Sequence, residues 1–199
     1  MSAADVVKWE AHLFAVVSSQ RFLQMEGLGG EVPVFIYPYD PEDALQVAES
    51  KKRVKTKLSQ KGIEVAEVNL YELTIELLTE RGALNDLFEM EPSLSKDELR
   101  EGLRSMIDPE SDIAPAIEAK LAEQSFDIFF LTGIGEVFPF IRSHNVLNNL
   151  ESVARGRPMV VFFPGSYEQL PALGSTLRLF GTIPDDNYYR AKNIREQEA

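Results

Sequence analysis

The sequence contains no cysteine. A disulfide framework, thiolate metal ligation and a cysteine nucleophile are therefore excluded, and a reducing, cytoplasmic setting is the expectation. Histidine is nearly as scarce, with His12 and His144 far apart along the chain. A zinc centre would need distant carboxylates to complete it, so no metal is expected. No stretch approaches the roughly 20 apolar residues of a membrane-spanning helix. The longest apolar windows, Val32–Tyr37, Ile128–Leu131 and Met159–Phe163, have the length of buried strands instead. Met1–Trp9 lacks a basic region followed by an apolar run, so no secretory signal is expected. The glycine-lysine-serine/threonine run of a P-loop is missing as well.

What is present fits one domain over residues 1–199, with 44% hydrophobic residues to supply its core. The net charge is −12, and it is unevenly placed. Residues 1–129 hold 25 acidic and 13 basic side chains, whereas residues 130–199 hold seven of each. An acidic surface repels phosphates, so no autonomous nucleic-acid binding is expected.

Hydrophobic periodicity predicts a helix over residues 5–24, ended by Gly27-Leu-Gly-Gly30. A strand over Val32–Tyr37 follows, then a helix to about Gly62 that opens on Asp40 as cap and Pro41 at the first position. Ile63–Val68 reads as a second strand and Leu70–Arg81 as a helix. Ser95-Lys-Asp-Glu98 has capping-box spacing. Residues 70–125 are too long for an ordinary crossover and read as an acidic helical insertion. Asp127–Thr132 is the third strand, with a helix expected from about Pro139 to Val153. Arg157–Phe163 is the fourth strand, ended by Pro164-Gly165. Leu177–Gly181 and Tyr188–Ile194 are expected to pair as a terminal hairpin about Ile183–Asn187. Strands alternating with helices imply an α/β fold, a mainly parallel, Rossmann-like sheet flanked by helices.

In such sheets ligands meet the loops beyond the carboxyl ends of the strands. Thr132-Gly-Ile-Gly135 is the one turn there that could meet a phosphate, and it founds an alternative reading as a degenerate nucleotide-binding domain. Against it, Phe138 stands where the third glycine of the dinucleotide fingerprint belongs, and Glu136 would repel an anion. Turn-forming is the plainer role for these glycines. Arg142-Ser143-His144-Asn145 gathers reactive side-chain types, but adjacent Ser143 and His144 point to different sides of a helix. Ser166 lacks the glycine two positions on that a nucleophile elbow needs, Glu168 standing there. No catalytic residue and no cofactor is therefore assigned. Asp185-Asp186 reads as turn chemistry. The basic run Lys51–Lys57 reads as a solvated helix face, or as one that meets the acidic insertion or a partner. DNA contact through that run is the weakest reading.

Phe130-Leu-Thr-Gly-Ile-Gly-Glu-Val-Phe-Pro-Phe-Ile-Arg-Ser-His-Asn-Val-Leu-Asn-Asn-Leu150 resembles the signature of the BrxB family of bacteriophage-exclusion (BREX) phage-defence systems. Val161-Phe-Phe-Pro-Gly165, Leu179-Phe-Gly181 and Asp185-Asp-Asn-Tyr-Tyr-Arg190 fit the same pattern in the same order. The resemblance implies a core defence component without an assigned catalytic residue. It also implies other BREX proteins as partners, above all PglZ, a large alkaline-phosphatase-like protein. With no chemistry in the loops, a protein-binding adaptor is the expected function. Its expected contact residues are Thr132, Gly135, Arg142, His144, Asn145, Asn148, Asn187, Tyr188 and Arg190, since exposed aromatics and arginines are favoured anchors.

Overall fold

The computed structural model describes residues 3–26, 33–150, 153, 156–170, 174–184 and 191–199. Gly27–Gly30, which the sequence marks as a helix stop, and Asp185–Arg190 lie outside the described residues.

Helix α1 (Ala3–Val17) ends earlier than periodicity predicts, and a short second helix, α2 (Gln20–Leu23), follows. Ser19 causes the break: its hydroxyl donates to the Val16 carbonyl and accepts from the Phe22 N–H, capping a new turn. Strand β1 (Val34–Tyr39) leads into a 3-10 turn over Pro41–Asp43 capped by the Asp40 carboxylate, then into α3 (Ala44–Gln60). Strand β2 (Val65–Asn69) feeds α4 (Leu70–Glu80) directly. Helices α5 (Ala83–Met90), α6 (Lys96–Met106) and α7 (Ala114–Ala122) complete the insertion, with a π turn at Pro109–Ile113 after the expected Asp108-Pro109 break. The Ser95–Glu98 capping box is formed at the start of α6. Strand β3 (Ile128–Thr132) is followed by a run of turns, and α8 (Ser143–Leu150) begins several residues later than expected.

Strands β4 (Met159–Leu170), β5 (Gly174–Leu179), β6 (Ile183–Pro184) and β7 (Lys192–Asn193) complete one sheet among the described residues, in the order β2-β3-β4-β1-β7. Its main ladders, β2–β3, β3–β4, β4–β1 and β1–β7, are all parallel. β4 does not stop at Pro164-Gly165. Its first half pairs in parallel with β1 and β3, and from Gly165 onward it pairs antiparallel with β5. A Cβ at Gly165 would stand 2.0 Å from the Arg178 carbonyl oxygen, so here glycine lets a neighbouring strand approach rather than ending one. The hairpin is thus made by β4 and β5, with β6 as a short continuation. Of the expected second arm, residues 188–190 lie outside the described residues, and Lys192 and Asn193 join β1 in parallel instead.

Apolar side chains alternate between the two faces, and both faces are buried. Phe35, Tyr37, Ile128, Phe130, Val160 and Phe162 point toward α1, α2 and α3. Val34, Ile36, Phe129, Leu131, Val161 and Phe163 point toward α4–α8 and the hairpin. This is why the strands read as continuous apolar runs rather than as polar–apolar alternation. The helices of the acidic insertion share their apolar cluster with the sheet, through Leu73, Leu78, Ile107 and Ile117.

Candidate functional site

The carboxyl ends of β1, β2 and β3 frame a cleft of about 120 Å³ lined by Tyr39, Lys51, Asn69, Thr132, Gly133 and Glu136, among others. Three of its polar side chains are committed to the chain itself. Asn69 caps α4, its side-chain oxygen accepting from the N–H groups of Tyr71 (2.8 Å) and Glu72 (3.3 Å). Lys51 is paired with Glu67, and the Thr132 hydroxyl, buried, lies 3.5 Å from the Val68 carbonyl. Burial, reinforced by the negative charge of Glu136, pushes the Tyr39 phenol up to about 12. It stays neutral at physiological pH and is poorly placed to act as a proton acceptor.

The Gly133–Gly135 turn is equally filled. Gly133 has φ +78°, and a Cβ there would lie 2.2 Å from the Asn69 side-chain oxygen and 2.9 Å from the Leu70 nitrogen. A Cβ on Gly135 would meet Pro164 at 2.7 Å and the Phe180 ring at 3.0 Å. Helix α8 starts eight residues beyond Gly135, and the α4 N-terminus that does stand beside Gly133 is already capped by Asn69, whose side-chain oxygen takes the place an anion would need.

The outer rim of the same edge is different in character. Phe180 sits at the β5–β6 turn with φ +53°, a backbone region that bulky residues rarely occupy, and its ring is exposed. It meets Phe138 edge-to-face at 6.2 Å, and the Arg142 guanidinium lies 5.5 Å from the Phe138 ring. Of the contact residues expected from sequence, Gly135 and Arg142 belong to this cluster. Thr132 is buried at the end of β3, where it lines the cleft, and Asn145 and Asn148 are exposed on α8. His144 is half-buried on α8 with its Nδ1 enclosed. Asn187, Tyr188 and Arg190 lie outside the described residues. Sequence reasoning passed over Phe138 and Phe180 as contact residues. The available signal for Phe180 was a large aromatic immediately before a glycine in a turn.

The other chemistry-bearing groups are separated. His12 on α1 approaches the Ile194 carbonyl (3.2 Å) on the opposite face of the sheet from His144. Among the described residues no three His, Asp or Glu side chains converge as metal ligands. The basic run on α3 is a largely solvated face, with Lys52, Arg53 and Lys57 exposed, and its ion pairs run to its own helix, to β2 and to α1 rather than to the insertion. Lys51 and Lys55 hold Glu67 of β2, while Arg53 and Lys57 each hold Glu10 of α1 at 2.7 Å.

Fold and site together define a Rossmann-like α/β protein whose nucleotide-type turn is plugged by its own side chains and whose sheet edge displays an aromatic–arginine cluster. The family model of the BREX protein BrxB matches residues 66–194, from β2 through the end of β7. A BREX protein BrxB of Bacillus cereus (strain H3081.97) is 37% identical over 179 residues, covering 88% of this chain and 90% of the relative. One of Escherichia coli O9:H4 (strain HS) is 29% identical over 175 residues, covering 88% and 84%. The chain belongs to the BrxB family, and so to the components of BREX phage-defence systems. No solved structure matches it significantly. Among the described residues no helix is long and apolar enough to cross a membrane.

Proposed function

We propose that this BREX component is a non-catalytic, cytoplasmic adaptor that binds other BREX proteins, foremost PglZ, through the rim of its sheet edge. The observation that carries the reading is the contrast between the two parts of that edge. Asn69, Lys51 and Thr132 of the cleft are already bonded within the chain, while Phe180 and Arg142 stand exposed beside it. Aromatic and arginine side chains held in place by neighbours are the usual anchors of protein interfaces. The family resemblance supplies PglZ as the first partner to test.

Calorimetric titration of the chain against each co-encoded BREX protein tests the surface. Arg142→Ala combined with Phe180→Asn, which keeps a residue tolerant of positive φ, should weaken PglZ binding by about tenfold or more without lowering the melting temperature. Unchanged affinity in a folded double variant would remove this surface from the proposal. A nucleotide at the Gly133–Gly135 turn would have to displace Asn69 and Phe180. Titration with ATP, GTP and NAD, with and without Mg²⁺, should accordingly give no binding heat, and micromolar binding would restore that alternative.

A further inference from the structure

Helices α4, α5 and α6, with Phe140 from the loop after β3, enclose an apolar groove on the acidic insertion. Leu78, Leu87, Phe88, Leu99 and Leu103 line it, and Glu91 stands among its lining residues. Its volume is about 160 Å³, room for one large apolar anchor of the kind that enters an engineered cavity of similar size. The surrounding surface is unusually greasy for an exposed helix: Phe88 is 61% exposed, Met90 48% and Tyr71 44%. Phe88 and Tyr71 also line the groove, and exposed apolar side chains gathered at a groove mark interaction sites.

Charge narrows the occupant. Residues 70–122 carry thirteen acidic and five basic side chains. Four of the five cations are spent within the segment: Arg81 on Asp112, Arg100 on Asp97 and Glu101, Arg104 on Glu101, and Lys120 on Glu76. Glu91 lines the groove, and it and Glu72, Asp86 and Glu89 of the same helical segment are exposed with no cationic partner among the described residues. Backbone chemistry narrows it further. The lining is side chains of helices and offers no strand edge, so an extended peptide would bury its own N–H and C=O groups without partners. A helix satisfies those groups internally. A second copy of this chain is a poor fit, because the cations of its basic helix α3 are tied to Glu10, Glu49 and Glu67.

We infer that this groove receives an amphipathic α-helix of a partner protein, one whose apolar stripe is flanked by lysine and arginine. The partner rests on the adaptor reading, whereas the location rests on the groove alone. Methyl NMR would follow the full chain titrated with a synthetic leucine-striped helix flanked by lysines, and with the same helix flanked by glutamates. The lysine form should bind about tenfold more tightly or better at low salt, shifting the methyls of Leu84, Leu87, Leu99 and Leu103. Phe88→Asp should abolish binding. The charge reversal Glu91→Lys with Glu72→Lys, which leaves the apolar lining intact, should remove the preference. Equal binding of both helices, shifts confined to the sheet edge, or concentration-dependent shifts of these methyls without peptide would overturn the inference, the last by revealing self-association. In parallel, each co-encoded BREX protein is titrated against wild type and Phe88→Asp. Binding to wild type alone supports the groove, and equal binding to both, with no peptide preference, sinks the groove while the adaptor reading stands. No binding to either sinks the adaptor reading, with the peptide still reporting on the groove.

Discussion

Glu10 is buried between α1 and α3, where the Ser50 hydroxyl, the Arg53 guanidinium and the Lys57 ammonium converge on its carboxylate. Burial by itself would raise its pKa above the ordinary 4.5, but hydrogen bonding and attraction from Lys57 and Arg53 together outweigh burial and lower it. Glu67 shows the same balance between burial and its partners Lys51 and Lys55. Because these groups bind protons less readily folded than unfolded, their stabilisation is present above the ordinary carboxylate value and is lost as pH falls through the depressed one. Urea unfolding measured across pH should therefore show stability declining below about pH 4.5. Glu10→Gln should cost about 1–3 kcal/mol at neutral pH and flatten that acid limb; an acid limb as steep as wild type would contradict the assignment. At the other end of the chain, the Arg195 guanidinium lies 4.4 Å from the Trp9 ring and 5.4 Å from Tyr37. Arg195→Ala should lower stability by about 1–2 kcal/mol, with faster hydrogen exchange around Ile194–Glu196.

Between elements, Asn69 does two things at once: it ends β2 by capping α4, and its side chain fills the space beside Gly133. Asn69→Ala should cost about 1–2 kcal/mol and speed amide exchange in the first turn of α4, while Asn69→Asp should retain the cap. Gly133→Ala should be worse than a simple left-handed penalty, because its Cβ would clash with that side chain and with the Leu70 backbone, and thermal melting will rank the variants. Elements of this kind were legible where the signal is local. Buried parallel strands announce themselves as apolar runs, and Asp40 and Ser95 cap where spacing placed them. Signals that depend on distant partners were not. The Pro164-Gly165 pair reads as a stop in isolation, yet β5, arriving against Gly165, keeps the strand going. Likewise Lys192 and Asn193 are drawn to β1 by an open ladder that the local sequence does not reveal.

For the molecule as a whole, the excess of negative charge and the internal pairing of the α3 cations point the same way. Purified chain should not retard duplex DNA even at low salt, and reversing charges within Lys51–Lys57 should leave that result unchanged; a salt-sensitive retardation lost on reversal would refute it. Sequence located the candidate edge through Gly135 and Arg142, because strand–turn order fixes which loops gather there. The ring of Phe180 escaped notice because its exposure depends on a left-handed turn formed only when β5 and β6 pair. That same sheet order dictates a sequence of events during protein synthesis. Strand β1 is made well before both of its neighbours, β4 and β7, which lie beyond residue 158. A nascent chain must therefore carry an unpaired apolar strand until residues 159–193 have been made, which exposes it to chaperones and proteases in the interval. Ribosome-bound chains stalled before residue 159 should be cleaved readily by added protease around Val34–Tyr39, and chains extended past Asn193 should resist.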